Sequence, residues 1–151
     1  MNRPQVFDRR GGELHADGHT HPVVAEDAAV LDLISNGRLD LTLGAGYRQE
    51  EFAMFGVERS QRGALMEEGV TALRQAWTGE PFEFRGETVL VTPRPLQRPG
   101  PRITMGGWSA AAARRAARIG DAYMPTNGDS WEVYRDECAR LGRPKPPAPP
   151  P

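Results

Sequence analysis

The stretch Ile103–Pro125, ITMGGWSAAAARRAARIGDAYMP, decides the fold class. A short apolar segment runs through two glycines and a serine into an alanine-rich helix, and a second apolar segment follows directly. Strand, glycine turn, helix, strand is the βαβ order of a parallel α/β protein. The glycines fall at the C-terminal end of the first strand, where such folds bind ligands.

Upstream the same alternation repeats. Pro22 suits the first turn of a helix, and Glu26 and Asp27 suit the positive end of its dipole. Val24, Ala28, Leu31 and Ser35 share one face, which Val30, Leu33 and Ile34 widen. Asn36-Gly37 supplies the left-handed stop. In Arg38–Gly46, RLDLTLGAG, Leu39, Leu41 and Leu43 alternate with polar residues, which predicts a strand ending in a glycine turn. Met66, Val70, Leu73 and Trp77 recur at helical spacing, so a second helix is expected over Ser60–Trp77. Phe82–Val91 reads as a hairpin about Arg85-Gly86, and PRPLQRPGPR (Pro93–Arg102) as an irregular loop. After Pro125, Asp129 with Glu132 fits a capping box, and a last helix runs to about Leu141. Trp131 and Tyr134, one turn apart on it, are expected to pack.

The chain has 151 residues, a formal net charge of -1 and one cysteine, Cys138. That length suffices for one domain with a core. The charge offers no basis for binding nucleic acid or an acidic membrane. A single cysteine excludes an internal disulfide framework and a cysteine zinc cluster. No apolar run reaches the roughly 18 residues of a membrane span, and Met1–Thr20 lacks the apolar core of a signal peptide. A cytoplasmic protein is therefore the expectation. Met1–Thr20 reads as a disordered or poorly packed leader, residues 21–142 as the folded domain, and residues 143–151 as a proline-rich tail.

Two motifs carry chemistry. Gly44-Ala45-Gly46-Tyr47 follows a strand as a nucleotide-binding glycine loop would, but Gln49 stands where the dinucleotide fingerprint requires a third glycine. By itself it fits either a tight turn or a ligand-lining loop. Gly106-Gly107-Trp108-Ser109 is more specific. Two glycines permit close approach, Ser109 can cap the following helix, and the helix N-terminus offers donors to an anion, commonly a phosphate. A capped helix with no ligand is the plainer alternative. Arg114, Arg115 and Arg118 read as mostly solvated. His15, His19 and His21 are spaced as an HxH metal strand would space two of them, but no apolar strand carries them, so exposed residues ahead of a helix are expected and no metal site is assigned. Glu50 and Glu51 are adjacent and cannot share a helix face as an acid/base pair. No catalytic residue can be named.

Taken in order, HPVVAEDAAVLDLISNGRLDLTLGAGY, Glu51, Phe55-Gly56, Arg62, Glu67 or Glu68, LRQAW (Leu73–Trp77), FRGETV, PRPLQRPGPRITMGGWS and RRAARIGDAYMP resemble the luciferase-like monooxygenase family over about His21–Gly142. The resemblance implies a (β/α)₈ TIM-type barrel, of which this chain would cover about the middle half, with an inserted β-hairpin. It implies a flavin cofactor, FMN or a deazaflavin coenzyme of the F420 type, used as a flavin-dependent oxidoreductase or monooxygenase on a small organic substrate. Homodimerisation through helices near the first half of the chain is also implied. By position, Ala45, Gly46 and Tyr47 resemble the loop beside the flavin ring or its ribityl chain. Met105, Gly106, Gly107 and Ser109 resemble the phosphate-side loop, and Thr126 follows the next strand in a similar place. The chain is about half the length of complete members, and the strand they carry before His21 is replaced by polar GGELHADGHT. Two other readings stand beside the enzyme: a flavin-binding or structural remnant without turnover, and a small nucleotide-binding domain of Rossmann or methyltransferase type.

Overall fold

The structure, a computed structural model, describes residues 5–7, 20–144 and 146. Four parallel strands, β1 (Gln5–Phe7), β2 (Asp40–Gly44), β5 (Arg102–Gly107) and β6 (Ala122–Pro125), form one sheet in that spatial order. Two antiparallel strands, β3 (Phe82–Phe84) and β4 (Glu87–Val89), form the hairpin. Its turn residues Arg85 and Gly86 both have positive φ, 51° and 86°, which matches the twist of a two-residue hairpin. The helices are α1 (Thr20–Ile34), α2 (Gln49–Met54), α3 (Arg62–Ala76), α4 (Ala110–Ile119) and α5 (Gly128–Arg140). A 3-10 turn, Arg59–Gln61, leads into α3.

The parallel strands follow one another in chain order, and the core lies on one face of the sheet. Leu41 and Leu43 on β2, Ile103 and Met105 on β5 and Tyr123 on β6 are all buried there, against Val70 and Trp77 of α3, Ala113 and Ala117 of α4 and Tyr134 of α5. The opposite face, with Thr42, Thr104, Gly106 and Ala122, is half-buried. A doubly wound nucleotide-binding sheet reverses its strand order and carries helices on both faces. These strands advance in one direction with helices on one side, as in a barrel wall, which removes the Rossmann alternative.

Several expectations are corrected. Within the expected leader, Gln5–Phe7 pairs in parallel with Asp40–Thr42. Three residues carry no readable period; the ladder bonds offered by the β2 edge order them. Residues 1–4 and 8–19, with His15 and His19, lie outside the described residues, as do 145 and 147–151 of the tail. His21 is buried rather than exposed: its ring meets Phe84 edge-on at 5.6 Å and lies against Gly69 of α3. The buried face of α1 is Ala25, Ala28, Ala29 and Asp32, while Leu31, Leu33 and Ile34 are exposed. The cap of α5 is Asn127, whose side chain accepts the Ser130 N–H at 3.0 Å, so Asp129 lies inside the helix.

Specific polar contacts lock the layers. The Asp32 carboxyl, fully buried, accepts the Gln97 backbone N–H and the Gln97 Nε2–H, both at 2.8 Å, which fastens the Pro93–Arg102 loop to α1. Trp77 Nε1 donates to the Ala25 carbonyl at 3.0 Å and joins α3 to α1. At the N-terminal strand ends, Asp121 accepts the Ile103 N–H and pairs with Arg74. As expected, Trp131 and Tyr134 pack, with ring centroids 5.3 Å apart, and Cys138 is a buried helical thiol beside them.

A candidate anion-binding cleft at the strand ends

The sheet register brings the glycine motifs together. Gly44 pairs with Gly106, and Gly106 with Met124, so β2, β5 and β6 end at one level. A cleft of about 470 Å³ opens over these C-terminal ends. Ala45, Gly46 and Tyr47 form one wall, Trp108 and Ser109 a second, and Thr126 borders it after β6. Across from them stand Arg59 and Ser60 of the 3-10 turn, Arg62 and Gly63 of α3, and Arg115 of α4.

Each loop has a local cause. Gly46 sits at φ 68°, a left-handed conformation that turns the chain back after β2. A Cβ on Gly107 would lie 2.7 Å from the Ala112 Cβ, so its absence lets the first turn of α4 approach the strand end. The Ser109 side chain accepts the Ala112 N–H at 3.2 Å and caps α4 as the sequence implied. The Gly107 carbonyl accepts both the Tyr123 hydroxyl at 2.8 Å and the Thr126 N–H at 3.1 Å. Asn127 donates from Nδ2 to the Trp108 carbonyl at 3.1 Å. The loop after β5 is thereby pinned to the end of β6 and to the cap of α5. Trp108 and Tyr47, 50% and 56% exposed, meet edge to face at 5.6 Å beside the opening.

The charge lining the cleft has one sign. Among the described residues three arginines border it and no aspartate or glutamate does, although the chain as a whole carries -1. Arg62 donates from Nη1 to the Arg59 carbonyl at 2.9 Å, which holds the 3-10 turn. Arg59 Nε is shielded from solvent and has no hydrogen-bond partner among the described residues. Guanidinium forks, hydroxyls and a helix N-terminus facing a glycine floor suit phosphate oxygens. Among the described residues, those lining this wall offer groups that bind and orient a ligand, and none is a histidine, cysteine or carboxylate.

Of the residues singled out in the sequence, Ala45, Gly46, Tyr47, Gly106, Gly107, Ser109 and Thr126 line this one cleft. Met105 lies apart from them: its side chain is buried in the core on the helix-covered face, one pleat away from Gly106. Arg59, Arg62 and Arg115 were not singled out for the cleft. Arg59 and Arg62, three apart, held a readable signal in their shared helical face. Arg115 held none, and it is far from solvated: its side chain is 18% exposed.

Residues 18–144 match the family model for luciferase-like monooxygenases. The chain is 36% identical over 118 residues to an FMNH(2)-dependent dimethylsulfone monooxygenase of Pseudomonas putida, covering 73% of this chain and 32% of that protein. It is 32% identical over 123 residues to an F420-dependent glucose-6-phosphate dehydrogenase of Amycolatopsis mediterranei, covering 76% and 36%. The crystal structure of the monooxygenase RslO1 from Streptomyces bottropensis superposes with a TM-score of 0.69 at 31% identity, covering 84% of this chain and 43% of that one. The chain thus spans about a third to two-fifths of the length of the proteins it matches. Family model, sequence relatives and superposed fold agree over the segment that builds the cleft, and the chain belongs to the luciferase-like monooxygenase family.

Proposed function

We propose that this chain forms the phosphate-binding wall of a TIM-type barrel that holds a flavin, and that the protein is a flavin-dependent oxidoreductase or monooxygenase of a small organic substrate. Residues 21–142 would be the middle part of that barrel. The observation that carries this reading is the cleft bordered, among the described residues, by Arg59, Arg62 and Arg115 over a glycine floor at the C-terminal ends of parallel strands, the end where barrels place their sites.

The residues present fit the cofactor's anionic end. The Gly106 and Gly107 backbone leaves room for a ligand tail, and Ser109, already fixed by the Ala112 N–H, keeps its own hydroxyl proton to donate to a phosphate oxygen. Arg59 brings a desolvated Nε that has no acceptor among the described residues. Thr126 closes the far side, its backbone held on Gly107. Ala45, Gly46 and Tyr47 would run alongside the ribityl chain. When bound, a reduced flavin supplies the electrons for oxygenation or hydride transfer; this wall contributes binding and orientation. FMN comes first as the ligand because a single terminal phosphate suits the arginines that border one cleft, with deazaflavin coenzyme as the competing arm of the test.

A second reading, flavin binding without turnover, rests on one observation: among the described residues the cleft lining holds no histidine, cysteine or carboxylate. Fluorescence titration of the full chain with FMN, riboflavin and F420 tests the shared claim. Binding of FMN at least tenfold tighter than riboflavin is expected, and equal affinities would refute a phosphate-binding wall. Oxidation of reduced flavin coupled to an organic substrate separates enzyme from remnant.

A further inference from the structure

Arg115 lies in α4, whose other arginines read as solvent-facing. Its Nε donates to Glu67 Oε1 of α3 at 3.1 Å, and the same oxygen accepts Arg118 Nη2 at 2.8 Å. Glu67 therefore uses one oxygen to hold two arginines that point to different places. Arg118 is 43% exposed and lies outside the cleft lining; Arg115 is 18% exposed and borders the cleft. The end of the Arg115 side chain rests on the first turn of α3. A Cβ built on Gly63 would fall 2.3 Å from Arg115 Nη2 and 3.1 Å from Cζ. The three atoms nearest to that point all belong to the Arg115 guanidinium. The space left by the missing methyl group is occupied by a guanidinium.

We propose that Arg115 is a ligand-binding residue, the third cationic arm of the cleft, which grips the terminal phosphate of the ligand, and that Gly63 leaves the room that lets its guanidinium reach there. The proposal rests on the anion-binding reading of the cleft. Glu67 is the positioning residue: it takes Nε and leaves the two Nη groups, whose paired geometry suits two oxygens of one phosphate. A glycine in the first turn of a helix is otherwise a poor choice, since alanine favours the helical state. Here the atoms an alanine methyl would meet first belong to the mobile tip of a side chain. The fold loses little by that substitution, whereas Arg115 must leave its place.

The geometry gives an unusual pair of signs. Gly63→Ala should leave the melting temperature of the full chain unchanged or raised while weakening FMN binding at least fivefold. Arg115→Met, which keeps the aliphatic stem, should weaken FMN and inorganic phosphate at least tenfold and leave riboflavin untouched. Arg118→Met removes the same formal charge from the same glutamate outside the cleft, and FMN affinity should stay within twofold. If FMN is preferred over riboflavin but Gly63→Ala and Arg115→Met bind it like wild type, the role of Arg115 is overturned while the flavin reading stands. Equal losses in Arg115→Met and Arg118→Met would also overturn it, since net charge alone would then explain the effect. If phosphate binds through Arg115 but neither FMN nor F420 does, the arm stands and the flavin reading falls. Failure of the wild type to bind FMN, F420 or phosphate overturns both.

Discussion

Gly107→Ala is the sharpest probe of how the cleft is built. The added Cβ would sit 2.7 Å from the Ala112 Cβ, about 1 Å inside the normal separation of two carbons. Neither atom can rotate away, because both are fixed to backbone. Relief must come from moving the first turn of α4, and with it the Ser109 cap, away from the end of β5. Overpacking of this kind costs about 1–3 kcal/mol. For a chain of this size each kcal/mol lowers the melting temperature by roughly 2–4 °C, so a fall of about 2–12 °C is expected. Gly106→Ala is the matched control. Its Cβ would meet only the Leu43 carbonyl oxygen at 3.6 Å, an ordinary contact, while occupying the cleft floor. Thermal melting and FMN titration of both variants then give opposite patterns: Gly107→Ala loses stability and binding, Gly106→Ala loses binding with little change in stability. If Gly107→Ala melts like wild type, the close approach of α4 to the strand end is wrong.

Three further outcomes follow from contacts away from the cleft. Asp32→Ala strips the acceptor from two Gln97 donors; at about 1–3 kcal/mol for each unsatisfied buried group, denaturant unfolding should show a loss of roughly 2–6 kcal/mol, and a loss below about 1 kcal/mol would contradict the role given to that carboxyl. Arg85→Ala breaks a two-bond ion pair with Glu68 in which both side chains are 37% exposed, so it should cost under about 1 kcal/mol, and the difference should vanish in concentrated salt. Burial, with Cys138 as a smaller contribution, pushes the Tyr134 phenol up to about 12. Between the ordinary tyrosine value of about 10 and that limit, the unfolded chain releases this proton while the folded chain keeps it, so stability falls as pH rises. Melting curves across that alkaline window should show the decline for wild type and a smaller one for Tyr134→Phe; equal slopes would refute it.

The sheet was legible where residue type dictates backbone geometry. Leu39, Leu41 and Leu43 alternate because a strand alternates, and Gly44 through Gly46 and Gly106-Gly107 mark strand ends that need close approach or a left-handed turn. Seven of the eight expected site residues meet in one cleft for that reason. Met105 falls elsewhere because neighbours on a strand face opposite ways. The arginines were hidden for a different reason. Where a long flexible cation ends up depends on partners distant in sequence, and Arg115 finds Glu67 and Gly63 on another helix. The same holds for Asp32, whose burial follows from a loop that begins some sixty residues later. For α5, the capping box expected from Asp129 and Glu132 gives way to Asn127, whose side chain accepts the Ser130 N–H.

Helix α1 turns its alanines inward and most of its large aliphatic residues outward. Ala25, Ala28 and Ala29 are buried, while Ile34 is 76% exposed. This inverts the usual guide to which substitutions a helix tolerates. Exchanging alanine for valine, conservative on paper, adds bulk where the helix lies closest to its neighbours and nothing can yield. Exchanging Ile34 for lysine, radical on paper, removes an apolar side chain from water and disturbs no core contact. Sequence variation in this segment should therefore be broad at its bulkiest positions and narrow at its smallest.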